Sequence, residues 1–318
     1  MLVAILLLIV GLIMLVFGGD YLVKGAASLA KRWGISTLVV GLTVVAFGTS
    51  MPELVVNIYS AFKGATDLAV GNIIGSNISN IFLILGISAI IYPLAVKEST
   101  TWKEIPFAML AGVMILFMGN DILFDGLGEN ILTRTDGLAL LSVFIIFLYY
   151  VFNLAKNGAV EQEEMQVFTW IRSIVFLIAG IGLLFLGGKL LVDNAIILAR
   201  LAGMSEALIG LTIVAVGTSL PELVTSAMAA YRKQADIAVG NIVGSNIFNI
   251  FWILGITSTI KPLPFTGGIN FDIFAEIIAT LLLFIFLFIG TKKRIDRWQG
   301  VTFVVMYVAY ISFLIYRG

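Results

Sequence analysis

The chain matches itself at a constant offset of 169 residues (210 minus 41), and no other feature limits its fold as strongly. Residues 41–56 read GLTVVAFGTSMPELVV and residues 210–225 read GLTIVAVGTSLPELVT, identical at 12 of 16 positions. Residues 67–82 read DLAVGNIIGSNISNIF and residues 236–251 read DIAVGNIVGSNIFNIF, identical at 13 of 16. A duplicated unit of this size must be built twice from the same local structure, and its surroundings say what that structure is. The sequence is 60% hydrophobic and only 12% charged, where a soluble domain carries about 25% charged residues. A membrane-spanning helix needs roughly 20 mostly apolar residues. Such segments lie near 2–30, 35–62, 67–92, 104–119, 137–155, 170–199, 204–231, 236–260, 271–290 and 299–316. A water-soluble globule is excluded.

Parity then fixes the architecture. Ten spans in two copies means five per copy, so the second copy enters the membrane in the opposite orientation. The expectation is an all-α membrane protein of ten transmembrane helices arranged as two inverted five-helix repeats. Residues 1–155 form the first repeat, 156–169 a cytoplasmic linker and 170–318 the second repeat. That plan places a binding site at the repeat interface near the bilayer midplane. The N-terminal apolar run lacks the positively charged start of a signal peptide. Its sequel Gly18-Gly19 recurs as Gly187-Gly188, so it is read as a retained helix.

Basic residues give the orientation. The loops joining helices 1–2, 3–4, 5–6, 7–8 and 9–10 hold twelve, from Lys31 and Arg32 through Lys97 and Arg232 to Arg297. The opposite side holds five: Lys63, Arg134, Arg200, Lys261 and Arg317. Both termini are therefore expected outside a cell membrane, which would be the inner one in a two-membrane bacterium. The polar stretches 119–136 and 156–169 read as solvated loops. With 19 basic and 19 acidic residues there is no surplus for a nucleic-acid partner. No protein partner is implied beyond the lipid bilayer.

The best-matched parts of the repeat are also the most polar. Gly48-Thr49-Ser50-Met51-Pro52-Glu53 and Gly217-Thr218-Ser219-Leu220-Pro221-Glu222 each put a carboxylate in mid-span. A charge there costs about 2.5–3.5 kcal/mol on insertion scales, and no Lys or Arg stands near either motif. A bound cation is the obvious compensator. Proline removes an N–H and displaces the carbonyl four residues back, so carbonyls around Ala46–Thr49 and Ala215–Thr218 are expected to turn toward an ion. Thr49 and Ser50 share a helix side with Glu53. A simple proline kink with hydroxyls bonded back to the helix is the bland alternative, and the glutamates in both copies argue against it.

The next helix carries Asn72, Ser76 and Asn80 in one stripe, repeated as Asn241, Ser245 and Asn249. Ser76, Asn80, Ser245 and Asn249 are expected ligands. Gly71, Gly75, Gly240 and Gly244 form small-xxx-small patterns that admit close helix packing. Asp67 and Asp236 are read as helix caps. Asp20–Lys24 and Lys189–Asp193 are read as local ion pairs. That leaves Glu53 and Glu222 as the isolated charges.

There is no His and no Cys, which removes imidazole bases, thiol nucleophiles and most zinc sites. No cofactor is implied. Two carboxylates with hydroxyl, amide and carbonyl oxygens make a hard site of formal charge about −2, suited to one Ca²⁺ and less to Mg²⁺. The same oxygens could hold several Na⁺ ions, and competition for them would be a basis for exchange.

These motifs resemble the Na⁺/Ca²⁺ exchangers of the cation/Ca²⁺ exchanger superfamily, as a prokaryotic member. The family's two α-repeats look like Gly41–Pro93 and Gly210–Pro262 here. The resemblance implies that Glu53, Glu222, Thr49 and Thr218 hold Ca²⁺, the threonines through their carbonyls. It implies that Ser50, Ser219, Ser76, Ser245 and the carbonyls of Ala46 and Ala215 serve Na⁺, with Asn80 and Asn249 completing the centre. Potassium-dependent members, and some prokaryotic ones, carry Asp where this chain has Asn249, and the potassium-independent animal exchangers carry Asn, so the resemblance favours K⁺-independent antiport by alternating access, electrogenic if more than two Na⁺ move per Ca²⁺. The short linker lacks the large regulatory domain of the animal proteins. H⁺/Ca²⁺ exchange is the alternative. A channel with the glutamates as filter and an intramembrane hydrolase fit the residues less well, since two glutamates make no ring and no base is present.

Overall fold

The computed structural model describes residues 1–63, 66–124, 126, 128–157, 167–201, 215–265 and 268–317. Its helices are α1 (Leu2–Trp33), α2 (Thr37–Thr49), α3 (Met51–Lys63), α4 (Ala69–Ile91), α5 (Thr100–Met118) and α6 (Arg134–Asn157). The second half supplies α7 (Trp170–Leu201), α8 (Ala215–Thr218), α9 (Leu220–Tyr231), α10 (Ala235–Ile260), α11 (Ile269–Phe286) and α12 (Arg297–Arg317). Eight described helices are long and apolar enough to cross a membrane, and α2 with α3, bent by 44°, make a ninth. The expected seventh span is only partly covered, because 202–214 lie outside the described residues.

The inversion is visible in the contacts of equivalent residues. Gly11 and Gly18 correspond to Gly180 and Gly187. A Cβ on Gly11 would lie 2.8 Å from the Gly187 carbonyl, and one on Gly180 would lie 2.9 Å from the Gly18 carbonyl. Rising numbers on α1 thus meet falling numbers on α7, so the equivalent helices run antiparallel across a seam that only glycine permits. Asn77 and Asn246, another equivalent pair, each donate a side-chain N–H to the other's backbone carbonyl at 3.3 Å. The pseudo-two-fold axis passes between them.

Two short antiparallel strand pairs close the ends of the molecule. Strand β1 (Leu94–Ala95) pairs with β4 (Arg294–Ile295), and β2 (Ile131–Leu132) pairs with β3 (Leu263–Pro264). Each pair joins one repeat to the other. Loop 3–4 therefore sits with loop 9–10 and loop 4–5 with loop 8–9, as the parity of ten spans requires. In the polar stretch after α5, Asp121 accepts from the Ile131 N–H at 3.0 Å and Asp136 from the Thr133 N–H at 2.8 Å. Those carboxylates hold their own loop.

Three readings need correction or qualification. Asp20 and Lys24 pair at 2.7 Å, and Asp20 also takes Arg232, which caps α9, but Lys189 and Asp193 form no ion pair among the described residues. Both are exposed, where an ion pair gains little over solvation. Asp236 begins α10 as expected, but its carboxylate is held by Lys97 at 2.7 Å and Thr37 at 3.2 Å, so it is an inter-repeat clasp as well as a helix-start charge. The cap reading of Asp67 lies outside the described side chains.

Candidate cation site

Ser50 interrupts the helix that carries the first motif. Its backbone sits at φ −84°, ψ 5°, and the equivalent Ser219 sits at −87°, 6°. The same hinge in both copies follows from Pro52 and Pro221, which deprive the preceding turn of a donor. One expectation fails in detail. The Ala46 carbonyl is not released by the hinge, since it accepts the Ser50 N–H at 3.0 Å and the Thr49 hydroxyl at 3.3 Å. Proline acts on the carbonyl four residues back, which is Gly48, and leaves Ala46 in place. Ala215 occupies the equivalent position at the start of α8.

The fold brings the sequence-selected residues together from α2–α3, α4, α8–α9 and α10. Glu53, Glu222, Thr49, Ser50, Ser219, Ser76, Ser245, Asn80, Asn249 and Ala46 are all at most 4% exposed, while Thr218 is half-buried. The contacts cross between repeats. Ser50 Oγ donates to Glu222 Oε1 at 3.1 Å, and Ser219 Oγ meets Ser76 Oγ at 3.3 Å. Thr49 Oγ1 donates to Asn241 Oδ1 at 3.0 Å, mirrored by Thr218 Oγ1 to Asn72 Oδ1 at 3.3 Å. Ser50, one turn before Glu53, carries the contact to Glu222 and so brings the two glutamate motifs together. No described Lys or Arg pairs with either.

Two residues that the sequence reading passed over organise the centre. Asn80 Nδ2 donates to Asn246 Oδ1 at 2.9 Å, and Asn249 Nδ2 donates to Asn77 Oδ1 at 2.9 Å. With their N–H groups tied off, Asn80 and Asn249 leave Oδ1 free, and neither oxygen has a partner. Glu53 Oε2, Glu222 Oε2 and Ser245 Oγ are buried and unpartnered too. Such orphans cost about 1–3 kcal/mol each, more for charged groups. Five of them supplied by the same four motif segments suit a dehydrated hard cation. The signal for Asn77 and Asn246 was present, since both copies read GSN, but the four-residue stripe drew attention to their neighbours. The helices turn π-helical at Asn80–Leu85 and Phe248–Leu254, covering Asn80 and Asn249, and such turns recur at functional positions.

Glycines bring these helices close. A Cβ at Gly240 would lie 3.0 Å from the Leu38 carbonyl, and one at Gly244 would lie 2.9 Å from Ala46 Cβ. Residues 207, 210 and 211, equivalent to Leu38, Gly41 and Leu42, lie outside the described residues.

Glu53 and Glu222 are not the only isolated charges, as the sequence suggested. Glu104 and Glu276 are fully buried within spans. Glu104 receives the Tyr150 hydroxyl, and Glu276 is treated below. Burial of a helix-end carboxylate depends on which helix covers it, which no local pattern reveals. Among the described residues no three His, Cys, Asp or Glu side chains cluster as a metal centre. The site has two carboxylates and depends otherwise on neutral oxygen.

An inverted-repeat bundle with an oxygen-lined centre at the repeat interface is a secondary transporter, not an enzyme. The sequence profile described as "Sodium/calcium exchanger protein" matches residues 3–153 and 172–316, and the chain belongs to that family. It is 37% identical to the putative antiporter CaxA of Alkalimonas amylolytica, over 98% of each chain. It is 32% identical to the sodium/calcium exchanger MaX1 of Methanosarcina acetivorans, again over 98% of each. The inner membrane protein YrbG of Escherichia coli is 39% identical over 82% of this chain and 81% of its own. Solved structures of the sodium-calcium exchanger NCX_Mj superpose with a TM-score of 0.84 at 35% identity, covering 98% of this chain and 99% of that one.

Proposed function

We propose that this protein exchanges Na⁺ for Ca²⁺ across the cell membrane by alternating access, independently of K⁺. The observation that carries the reading is the set of five unpartnered buried oxygens, from Glu53, Glu222, Asn80, Asn249 and Ser245. In this reading Glu53 and Glu222 balance the charge of one Ca²⁺, and Thr49 and Thr218 add backbone carbonyls. Ser50, Ser219, Ser76, Ser245 and the carbonyls of Ala46 and Ala215 serve Na⁺, Ala46 by exchanging its long Thr49 hydroxyl contact for the ion. The two ions share the glutamates and cannot both be fully bound. More than two Na⁺ per Ca²⁺ makes the cycle electrogenic, responding at about 2.3 kcal/mol per net charge per 100 mV. MaX1 and NCX_Mj are described as sodium/calcium exchangers, which supports the choice of ions. Asn249, uncharged, supports a site with two carboxylates and no K⁺.

An asymmetry between the halves supports alternating access. Asn241 is buried, with its N–H on Ser226 Oγ at 2.9 Å. The equivalent Asn72 is half-buried, its Nδ2 has no partner, and the Ser226 equivalent Asn57 has neither side-chain atom bonded. With both termini outside, Asn241 and Ser226 lie on the cytoplasmic side of the glutamates and Asn57 and Asn72 on the outer side. The inner latch is then made and the outer one is not, as in an outward-open state. Inverted repeats allow the two latches to exchange.

The test is ⁴⁵Ca²⁺ uptake into vesicles under imposed Na⁺, K⁺ and H⁺ gradients. Uptake should follow the Na⁺ gradient, ignore K⁺ and change with membrane potential. Uptake driven by a pH gradient without Na⁺ would instead establish H⁺/Ca²⁺ exchange.

A further inference from the structure

Glu104 and Glu276 are as deeply buried as the two site glutamates and lie outside the ion-facing segments, and of the two Glu276 reaches the centre. Glu276 lies two turns into α11 and is fully buried. Its Oε1 accepts from Asn77 Nδ2 at 3.1 Å and its Oε2 has no partner. The carboxylate rests against Gly112 of α5, where a Cβ would collide with it.

Glu276 breaks the two-fold symmetry of the centre. Asn77 and Asn246 exchange identical bonds, but the amide nitrogen of Asn246 has one acceptor, the Asn77 carbonyl. That of Asn77 has two, the Asn246 carbonyl and Glu276. The first-repeat equivalent of Glu276 at the 169-residue offset is Phe107, which accepts nothing. A primary amide carries its two N–H donors on one side and its oxygen on the other. With both donors of Asn77 engaged, only its oxygen can face Asn249. That oxygen holds Asn249 Nδ2 at 2.9 Å and so leaves Asn249 Oδ1 as the unpartnered end.

We propose that Glu276 is a positioning residue for the transport site: through Asn77 it fixes which end of the Asn249 amide faces the cation. It touches no ion itself, and the proposal rests on the reading of Asn249 as an ion ligand. An amide turned the other way presents N–H hydrogens and repels a cation. Ca²⁺, with twice the charge of Na⁺, is the more sensitive of the two. On the other side Asn80 donates to Asn246, whose own nitrogen has a single acceptor, so the two amide ligands are held unequally.

The experiment is Na⁺-driven ⁴⁵Ca²⁺ uptake by the full chain in proteoliposomes, read as half-saturating Ca²⁺ and maximal rate. Glu276→Leu should raise half-saturating Ca²⁺ by at least about five-fold, with a smaller change for Na⁺. Glu276→Gln keeps an oxygen for Asn77 and should stay within about two-fold of the parent. Gly112→Ala, which crowds the carboxylate without removing it, should shift Ca²⁺ in the same direction by less. In an Asn249→Leu background, Glu276→Leu should add nothing, because the ligand it positions is gone. An unchanged half-saturation in Glu276→Leu overturns the proposal, and so does a Gln variant as impaired as the Leu variant. Should Glu276→Leu fail to insert, an unchanged half-saturation in Gly112→Ala overturns it equally. An Asn249→Leu protein with normal Ca²⁺ dependence removes the underlying reading of the site, and that result is separate from any obtained at Glu276.

Discussion

Replacing Glu222 with Gln separates charge from shape at the centre of the site. Glu222 Oε1 accepts from Ser50 Oγ at 3.1 Å, and a glutamine can keep that contact as acceptor or as donor, since a hydroxyl does both. What disappears is one of two negative charges. At an ion–oxygen distance of about 2.4 Å and an effective dielectric of about 20, Coulomb's law gives about 7 kcal/mol per unit of cation charge. Na⁺ loses about 7 kcal/mol of gross attraction and Ca²⁺ about 14. The glutamine carbonyl and returning water offset most of both figures. Their ratio of about two to one survives, because it depends on the charge of the cation alone. If a quarter of the difference remains, selectivity shifts against Ca²⁺ by more than about tenfold. Calorimetric Ca²⁺ titrations at several Na⁺ concentrations, with exchange in proteoliposomes, read both quantities. Exchange should be lost and Ca²⁺ affinity should fall further than Na⁺ affinity. Near-normal exchange, or an equal loss for both ions, would refute the shared-carboxylate argument; Glu53→Gln should behave alike.

Further outcomes follow from the packing and the latches. The chain has no cysteine, so Asn72→Cys, at a half-buried position, should react with an impermeant maleimide from the side of the termini, whereas Asn241→Cys, at a buried one, should be protected; the reverse pattern contradicts the proposed state or orientation. Gly187→Leu places a Cβ 2.9 Å from the Gly11 carbonyl and should destabilise the α1–α7 seam by about 1–3 kcal/mol, seen as a lower melting temperature in detergent. Lys233 sits at φ 60°, so Lys233→Gly should relieve about 1 kcal/mol of left-handed strain and raise the melting temperature. Lys293, at φ 56°, gives an independent check of the same point.

Much of the site was legible because the duplication printed it twice. Glu53 and Glu222 could be singled out as mid-span carboxylates without basic neighbours, and the serine and asparagine stripes followed from helix spacing. Asn77 and Asn246 lay next to the chosen stripe and were missed. Their importance comes from lying on the two-fold axis, where each meets its own equivalent. Glu276 was missed for a related reason. Near the start of an apolar run it reads as a helix-end charge, and only the covering of α11 by α4 and α5 buries it. The Lys189–Asp193 spacing allowed an ion pair that the exposed side chains do not make.

Sequence by itself determined the span pattern, the inversion and the type of chemistry. Those depend on chain-local quantities: apolar length, the parity of five spans per copy, and a composition that leaves oxygen as the only hard-ion ligand. The tertiary structure decided how each amide is turned, which of two equivalent asparagine contacts is made, and that Glu276 is buried beside Asn77. These depend on contacts between residues 140 to 200 positions apart, such as Asn77 with Glu276 and Ser50 with Glu222. Repeating a sequence makes its local structure equal in both copies. It does not make their surroundings equal, and at Glu276 and Phe107 they differ.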